Sequence, residues 1–147
     1  MNGDKRSSSS GRILALDYGK VHTGAALSDP TGSIVRPLAA INEAAGPVGL
    51  KKIAALVETE GALTVVVGLP VSLNGERGAQ ANETAEFIAA LRRALPVPVE
   101  AWDERFTSKL AAAKGRYSQS NPHSLAACCL LEDYLGSAEF RRRKHRR

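Results

Sequence analysis

The chain has only two cysteines, and no apolar run approaches the roughly 20 residues a helix needs to span a bilayer. The first shortage excludes an internal disulfide framework. Cys128 and Cys129 are adjacent, and neighbours on a helix point in different directions, so they cannot bridge one another. They read as small buried hydrophobes in a reducing compartment. The second absence argues against a membrane protein. The first ten residues, MNGDKRSSSS, are polar and lack the apolar core of a secretory signal. A cytoplasmic location is the expectation. No internal repeat is visible, and 147 residues suit one domain with one core.

Charge is distributed unevenly. The formal net charge is +5, yet the last seven residues, RRRKHRR, carry six positive charges. The remainder therefore stands at −1, and the folded body is nearly neutral. Arg141, Arg142, Arg143 and Lys144 read as part of a mobile arm that binds nucleic acid or solubilises the chain. The expected organisation is a disordered extension over 1–10, one domain over 11–137 and a basic tail over 138–147.

Local patterns build an α/β domain. RILALD (12–17) is a buried strand ending at a carboxylate, and HTGAALS (22–28) is a second strand after a tight turn. Asp29-Pro30-Thr31-Gly32 signals a turn fixed by Ser28 and Asp29, and 33–37 suit a third strand closed by Pro37. Leu50, Ile53, Ala54 and Val57 recur at helical spacing before Gly61. Residues 63–68 form a central strand buried on both faces. A polar loop over 71–78 leads to a helix over 79–95, with Ala85, Ile88, Ala89 and Leu91 on its apolar face. A strand over 97–102 runs into Asp103-Glu104-Arg105. A short helix over 107–114, capped by Thr107 and Ser108, and a loop over 115–121 precede the last helix, which starts near Pro122 and ends near Leu135. A meander followed by two crossover units gives a five-stranded mixed sheet of order 3-2-1-4-5, flanked by helices.

Three positions stand out chemically. Asp17 ends an apolar strand, where a carboxylate must be paired or coordinate something. It either holds a ligand or caps the turn at Tyr18 and Gly19. Asp103 and Glu104 end the last strand, at the sheet edge where open α/β folds bind ligands. Side chains alternate along a strand, so one of the two faces such a site while the other pairs with Arg105 or a backbone amide. A surface ion-pair cluster is the competing reading. Gly68 ends the strand between them and leaves room for two carboxylates to approach across it.

Four stretches, GRILALDYGKVHTGAALSDPTGSIVRPLAAI, VVVGLPVSLNGERGAQA, WDERFTS and SLAACCLLEDYL, occur in this order over most of residues 11–136. Together they resemble the YqgF family of pre-16S rRNA nucleases, which resembles Holliday-junction resolvases and other ribonuclease H-like enzymes. The resemblance implies a ribonuclease H-like fold and metal-dependent phosphodiester hydrolysis in 5′-end processing of pre-16S rRNA. It also implies acidic ligands around Mg²⁺ or Mn²⁺, with Asp17, Asp103 and Glu104 in those positions. The family's aspartate before Ser-Leu-Ala-Ala is replaced here by His123, after a shortened segment. His123 then either ligates Mn²⁺, works as an acid or base, or is inert. Lys20, Arg77 and Arg105 are candidate phosphate contacts beside the tail, and Lys20 and His22, which flank the first turn, either meet a phosphate or belong to a solvated hairpin. The expected partner is RNA, with branched DNA as an alternative, and the chain acts as monomer or homodimer. A non-catalytic RNA- or ribosome-associated protein is the rival reading. Asp17-x-Gly19-x-x-x-x-Gly24 also resembles the phosphate loop of sugar kinases and actin-like ATPases. Those place ATP between two such domains, and 147 residues hold one.

Overall fold

The computed structural model describes residues 11–70, 78–104, 115–117 and 121–137, with Glu104 described by its backbone alone. Along the chain these form β1 (Arg12–Asp17), β2 (His22–Ser28), β3 (Val35–Asn42), α1 (Pro47–Glu60), β4 (Ala62–Pro70), α2 (Ala79–Ala94), β5 (Val99–Glu104) and α3 (Pro122–Leu135). The sheet order is β3-β2-β1-β4-β5, as the patterns predict. β1, β2 and β3 form the antiparallel meander, while β4 and β5 run parallel to β1.

The alternation of β1 explains why the sheet is covered on both faces. Leu14 and Leu16 point to a core shared with Ile53 and Val57 of α1 and Phe87, Ile88 and Leu91 of α2. Ile13 and Ala15 point the other way, with Ala26 and Val66, into a core closed by Ala127, Cys128, Leu130, Leu131 and Tyr134 of α3. α3 is therefore a buried helix, and both cysteines are free thiols inside it. Gly61 ends α1 in the left-handed conformation, φ 70°, where a glycine carries no Cβ penalty.

Several boundaries differ from expectation. β3 runs from Val35 to Asn42 rather than over 33–37, and Pro37 lies inside it, paired with Ala26. β3 is an edge strand, where the missing proline N–H costs no ladder bond. β5 begins at Val99, two residues late, and β4 extends over Ala62–Pro70. The buried stripe of α2 is Ala81, Thr84, Phe87, Ile88 and Leu91, without Ala85 and Ala89. Thr84 tolerates burial because its hydroxyl donates to the Gln80 carbonyl, 2.8 Å away. Gly115 and Arg116 are helical where a loop is expected. Ser28 does not fix the turn: its Oγ accepts the Ile13 N–H at 2.9 Å and ties β2 to β1. Asp29 does fix it, accepting from the Ser33 and Ile34 amides at 2.8 Å and from the Thr31 hydroxyl. The predicted helix over 107–114 lies outside the described residues. Among the described residues, no helix is long and apolar enough to cross a membrane.

Candidate functional site

The candidate site lies at the C-terminal edge of β1, β4 and β5, on the face covered by α3. Asp17 belongs to the α3-facing set of β1 with Ile13 and Ala15, and is partly buried. Leu16 pairs with Val67, so Gly68 stands beside Asp17. Gly68 in turn pairs with Trp102, not with Asp103. Trp102 packs on the α3 side, edge-on to Tyr134 at 5.2 Å, and its indole N–H donates to Asp133 at 2.9 Å. Asp133 thus has a structural partner far down α3.

This register separates the two acidic candidates of β5. Asp103 pairs with Leu69 and shares the parity of Val99, whose side chain enters the α1/α2 core. It is exposed and borders an open hollow of about 370 Å³ with Ala101, Trp102 and Asp133. Strand position 104 pairs with Pro70 and falls in the parity class of Trp102 and Asp17. The strand's alternation therefore distinguishes two positions that the sequence leaves equivalent.

The turn after Asp17 is held by Thr23. The Thr23 hydroxyl accepts from the Gly19 amide at 3.3 Å and donates to the Gly19 carbonyl at 3.2 Å. Tyr18 stacks on Phe87 with ring centroids 4.5 Å apart. Burial raises its phenol pKa, and the charges of Glu83 and Glu86 raise it further, so Tyr18 is protonated at neutral pH. Lys20 is exposed in the β1–β2 connection.

The start of α3 is brought to Asp17 by Gly24, its partner across β1 and β2. A Cβ on Gly24 would overlap the His123 carbonyl and lie 3.0 Å from the Ser124 amide nitrogen. Only a glycine lets the helix start approach so closely. Ser124 is fully buried there, its hydroxyl donating to the Leu38 carbonyl at 2.6 Å and accepting from the Ala25 amide at 3.4 Å. Asn121 caps the helix, its Oδ1 accepting the His123 amide at 2.7 Å. His123 is exposed, and its ring lies 4.9 Å from that of His22, tilted by 38°. His22 is cross-strand partner to Asn42, and its Nδ1 is 3.0 Å from Asn42 Oδ1.

Asp17, Lys20, His22 and His123 are thus gathered at one end of the fold, with Asp103 one parity step off it. Among the described residues, no three His, Cys, Asp or Glu side chains lie close enough to hold a metal ion. Arg77, Arg105, Arg141, Arg142, Arg143 and Lys144 lie outside the described residues, as does the side chain of Glu104. The His22–His123 contact was not legible in the sequence, because it joins the second strand to the last helix.

A five-stranded 3-2-1-4-5 sheet with helices on both faces is the ribonuclease H-like fold. The structure is similar to that of Thermus thermophilus RuvC, with a TM-score of 0.58 and 14% identity over 84% of this chain and 93% of that one, a likeness of fold alone. Residues 11–137 match the family model described as RuvX, Holliday junction resolvase, and the chain belongs to that family. It is 39% identical over 131 residues to a "Putative pre-16S rRNA nuclease" of Rubrobacter xylanophilus, covering 85% of this chain and 92% of that protein. A protein of the same name from Roseiflexus is 35% identical over 138 residues, covering 89% and 98%. The resemblance read from the motifs is borne out.

Proposed function

We propose that the protein is a divalent-metal-dependent nuclease that hydrolyses phosphodiester bonds in RNA, acting in 5′-end maturation of pre-16S rRNA in the cytoplasm. One observation carries the reading. Asp17 ends a central strand beside side-chain-free Gly68, under a helix start that Gly24 draws close. Position 104 lies on the same face two strands away. Membership of a family described as Holliday junction resolvase and relatives named for pre-16S rRNA nuclease activity support it.

The donor chemistry fits a hard or borderline divalent ion, with carboxylate oxygens from Asp17 and Glu104 and an imidazole from His123. The described residues do not complete a set of three, and the proposed set adds Glu104, whose side chain lies outside them. Such ions, when bound, supply charge stabilisation to a phosphoryl group and an activated water. The chain's own part is to hold and orient. Asp17 is fixed by its ladder with Gly24, and His123 is fixed at its backbone by Asn121. Lys20, Arg77 and Arg105 hold substrate phosphates, and the cationic tail from Arg141 gathers the polyanion.

The replacement of an aspartate by His123 favours a second reading, a non-catalytic RNA- or ribosome-bound protein. One experiment separates the two. Purified protein is incubated with labelled RNA and with branched DNA, in Mg²⁺, in Mn²⁺ and in EDTA. Cleavage of RNA that needs the ion and disappears in Asp17→Asn is expected. Undiminished cleavage in EDTA or in Asp17→Asn would eliminate the metal-nuclease reading. Binding without cleavage would establish the second reading, and cleavage of branched DNA alone would reassign the substrate.

A further inference from the structure

We propose that His22 and His123 together form a two-imidazole site for a borderline transition-metal ion, oriented by Asn42. The inference builds on the reading of His123 as a metal ligand and adds His22 and Asn42 to it. No motif in the sequence pairs these residues; the pairing comes from the packing of α3 across β2.

With its Oδ1 3.0 Å from the ring nitrogen, Asn42 favours the tautomer in which His22 Nδ1 is the donor. In that tautomer Nε2 carries the free lone pair. That is the state of a metal-binding histidine, whose other ring N–H is held by an oxygen. Asn42 is placed for this by the ladder, since it is the cross-strand partner of His22.

A metal–imidazole bond of about 2.1 Å puts the ring centre about 3.2 Å from the ion. Two such rings subtending roughly 90–110° at an octahedral or tetrahedral ion have centres about 4.5–5.2 Å apart. The observed separation is 4.9 Å, and the rings are tilted by 38° rather than stacked flat. Both side chains are exposed, and the His123 ring can turn towards Nε2 of the His22 ring that Asn42 holds, without disturbing the core. Their backbones are fixed, His22 by the β2–β3 ladder and His123 by the Asn121 cap and the Gly24 approach.

Imidazole suits Mn²⁺, Co²⁺, Ni²⁺ and Zn²⁺, while Mg²⁺ prefers oxygen and keeps its waters. A site containing both rings therefore discriminates against Mg²⁺. It sits on the β2 side of Asp17, away from β5.

Co²⁺ titration of the full chain tests this, followed by histidine ring resonances and by calorimetry. The chain has three histidines, and His145 in the tail serves as internal control. Resonances of His22 and His123 should move together at the same Co²⁺ concentration, with His145 unmoved and no response to Mg²⁺. His22→Gln and His123→Gln should each weaken Co²⁺ binding at least tenfold. Asn42→Ala keeps both imidazoles and should still weaken it about tenfold, the cost of losing an orienting partner. Circular dichroism of each variant verifies the fold. If His22 stays unmoved, or His22→Gln binds Co²⁺ like the natural chain, the ring pair is a packing contact and the proposal falls. The readout is independent of cleavage. A retained Co²⁺ site in an Asp17→Asn protein without activity supports both readings. A lost site in an active nuclease overturns only this one.

Discussion

Replacing Gly24 by alanine adds one carbon where the sheet and α3 meet most closely. The new Cβ would overlap the His123 carbonyl and crowd the Ser124 amide at 3.0 Å. Both are backbone atoms, so no side chain can rotate away. The helix start must lift from β2. Overpacking of this kind costs about 1–3 kcal/mol. Lifting also breaks the two hydrogen bonds of the buried Ser124 hydroxyl, each worth about 1 kcal/mol net. A total of about 3–5 kcal/mol is a large part of the roughly 5–15 kcal/mol that holds a domain folded. For a chain of this length it lowers the melting temperature by roughly 6–20 °C. Gly78→Ser is the control, because a Cβ there meets nothing within 4 Å and serine is a favourable helix cap. Its stability should stay within about 0.5 kcal/mol of the natural protein. Urea unfolding and thermal melts of both variants decide the matter. Metal-dependent cleavage should fall in Gly24→Ala even well below its melting temperature, since His123 moves relative to Asp17. A Gly24→Ala protein that melts within about 2 °C of the natural chain would refute the close approach of α3 to β2.

Three further outcomes follow from other parts of the molecule. In β5, Glu104→Gln should reduce cleavage by more than the roughly 10–100-fold that supporting residues of metal sites cost, and Asp103→Asn should reduce it far less; the reverse order would contradict the strand parity. Asp29 is held at about 2 by the Thr31 hydroxyl and by the Ile34 and Ser33 amides. Its depressed pKa stabilises the fold above the unfolded value of about 3.9, and that stabilisation is lost as the pH falls towards 2. Asp29→Ala should therefore cost about 1 kcal/mol at neutral pH, a figure reduced for solvent screening, and little at pH 2. An undiminished difference at pH 2 would refute the charge argument. The Cys128 thiol is pushed up to about 12, chiefly by burial, so it stays protonated and should resist alkylation at pH 8 until denaturant is added. Rapid labelling of the folded protein would show that this face of α3 is not buried.

The sequence shows strands and helices wherever one physical rule governs the residues. β1 and β4 are legible because apolar side chains are needed on both faces, and α3 because a proline opens it and a glycine follows its end. The strand order follows from short connections and from the fixed hand of crossovers. Legibility fails where two rules compete. Pro37 reads as a stop, yet an edge strand absorbs it, and edge status depends on the whole sheet. Thr84 reads as polar, yet its own helix satisfies it. The candidate site behaves the same way. Asp17 is visible because burying a carboxylate after Leu14, Ala15 and Leu16 demands a reason. Asp103 and Glu104 are visible as a pair but not as unequal members, because parity needs the register with Leu69 and Pro70. His22 is visible as a residue flanking the first turn, but nothing in the sequence pairs it with His123. Its meaning depends on Asn42 across the ladder and on His123 at the start of a helix, which meets β2 only because Gly24 has no side chain. A residue that acts through contacts made by distant segments leaves no local pattern. Its chemistry becomes readable only once the backbone has placed its partners.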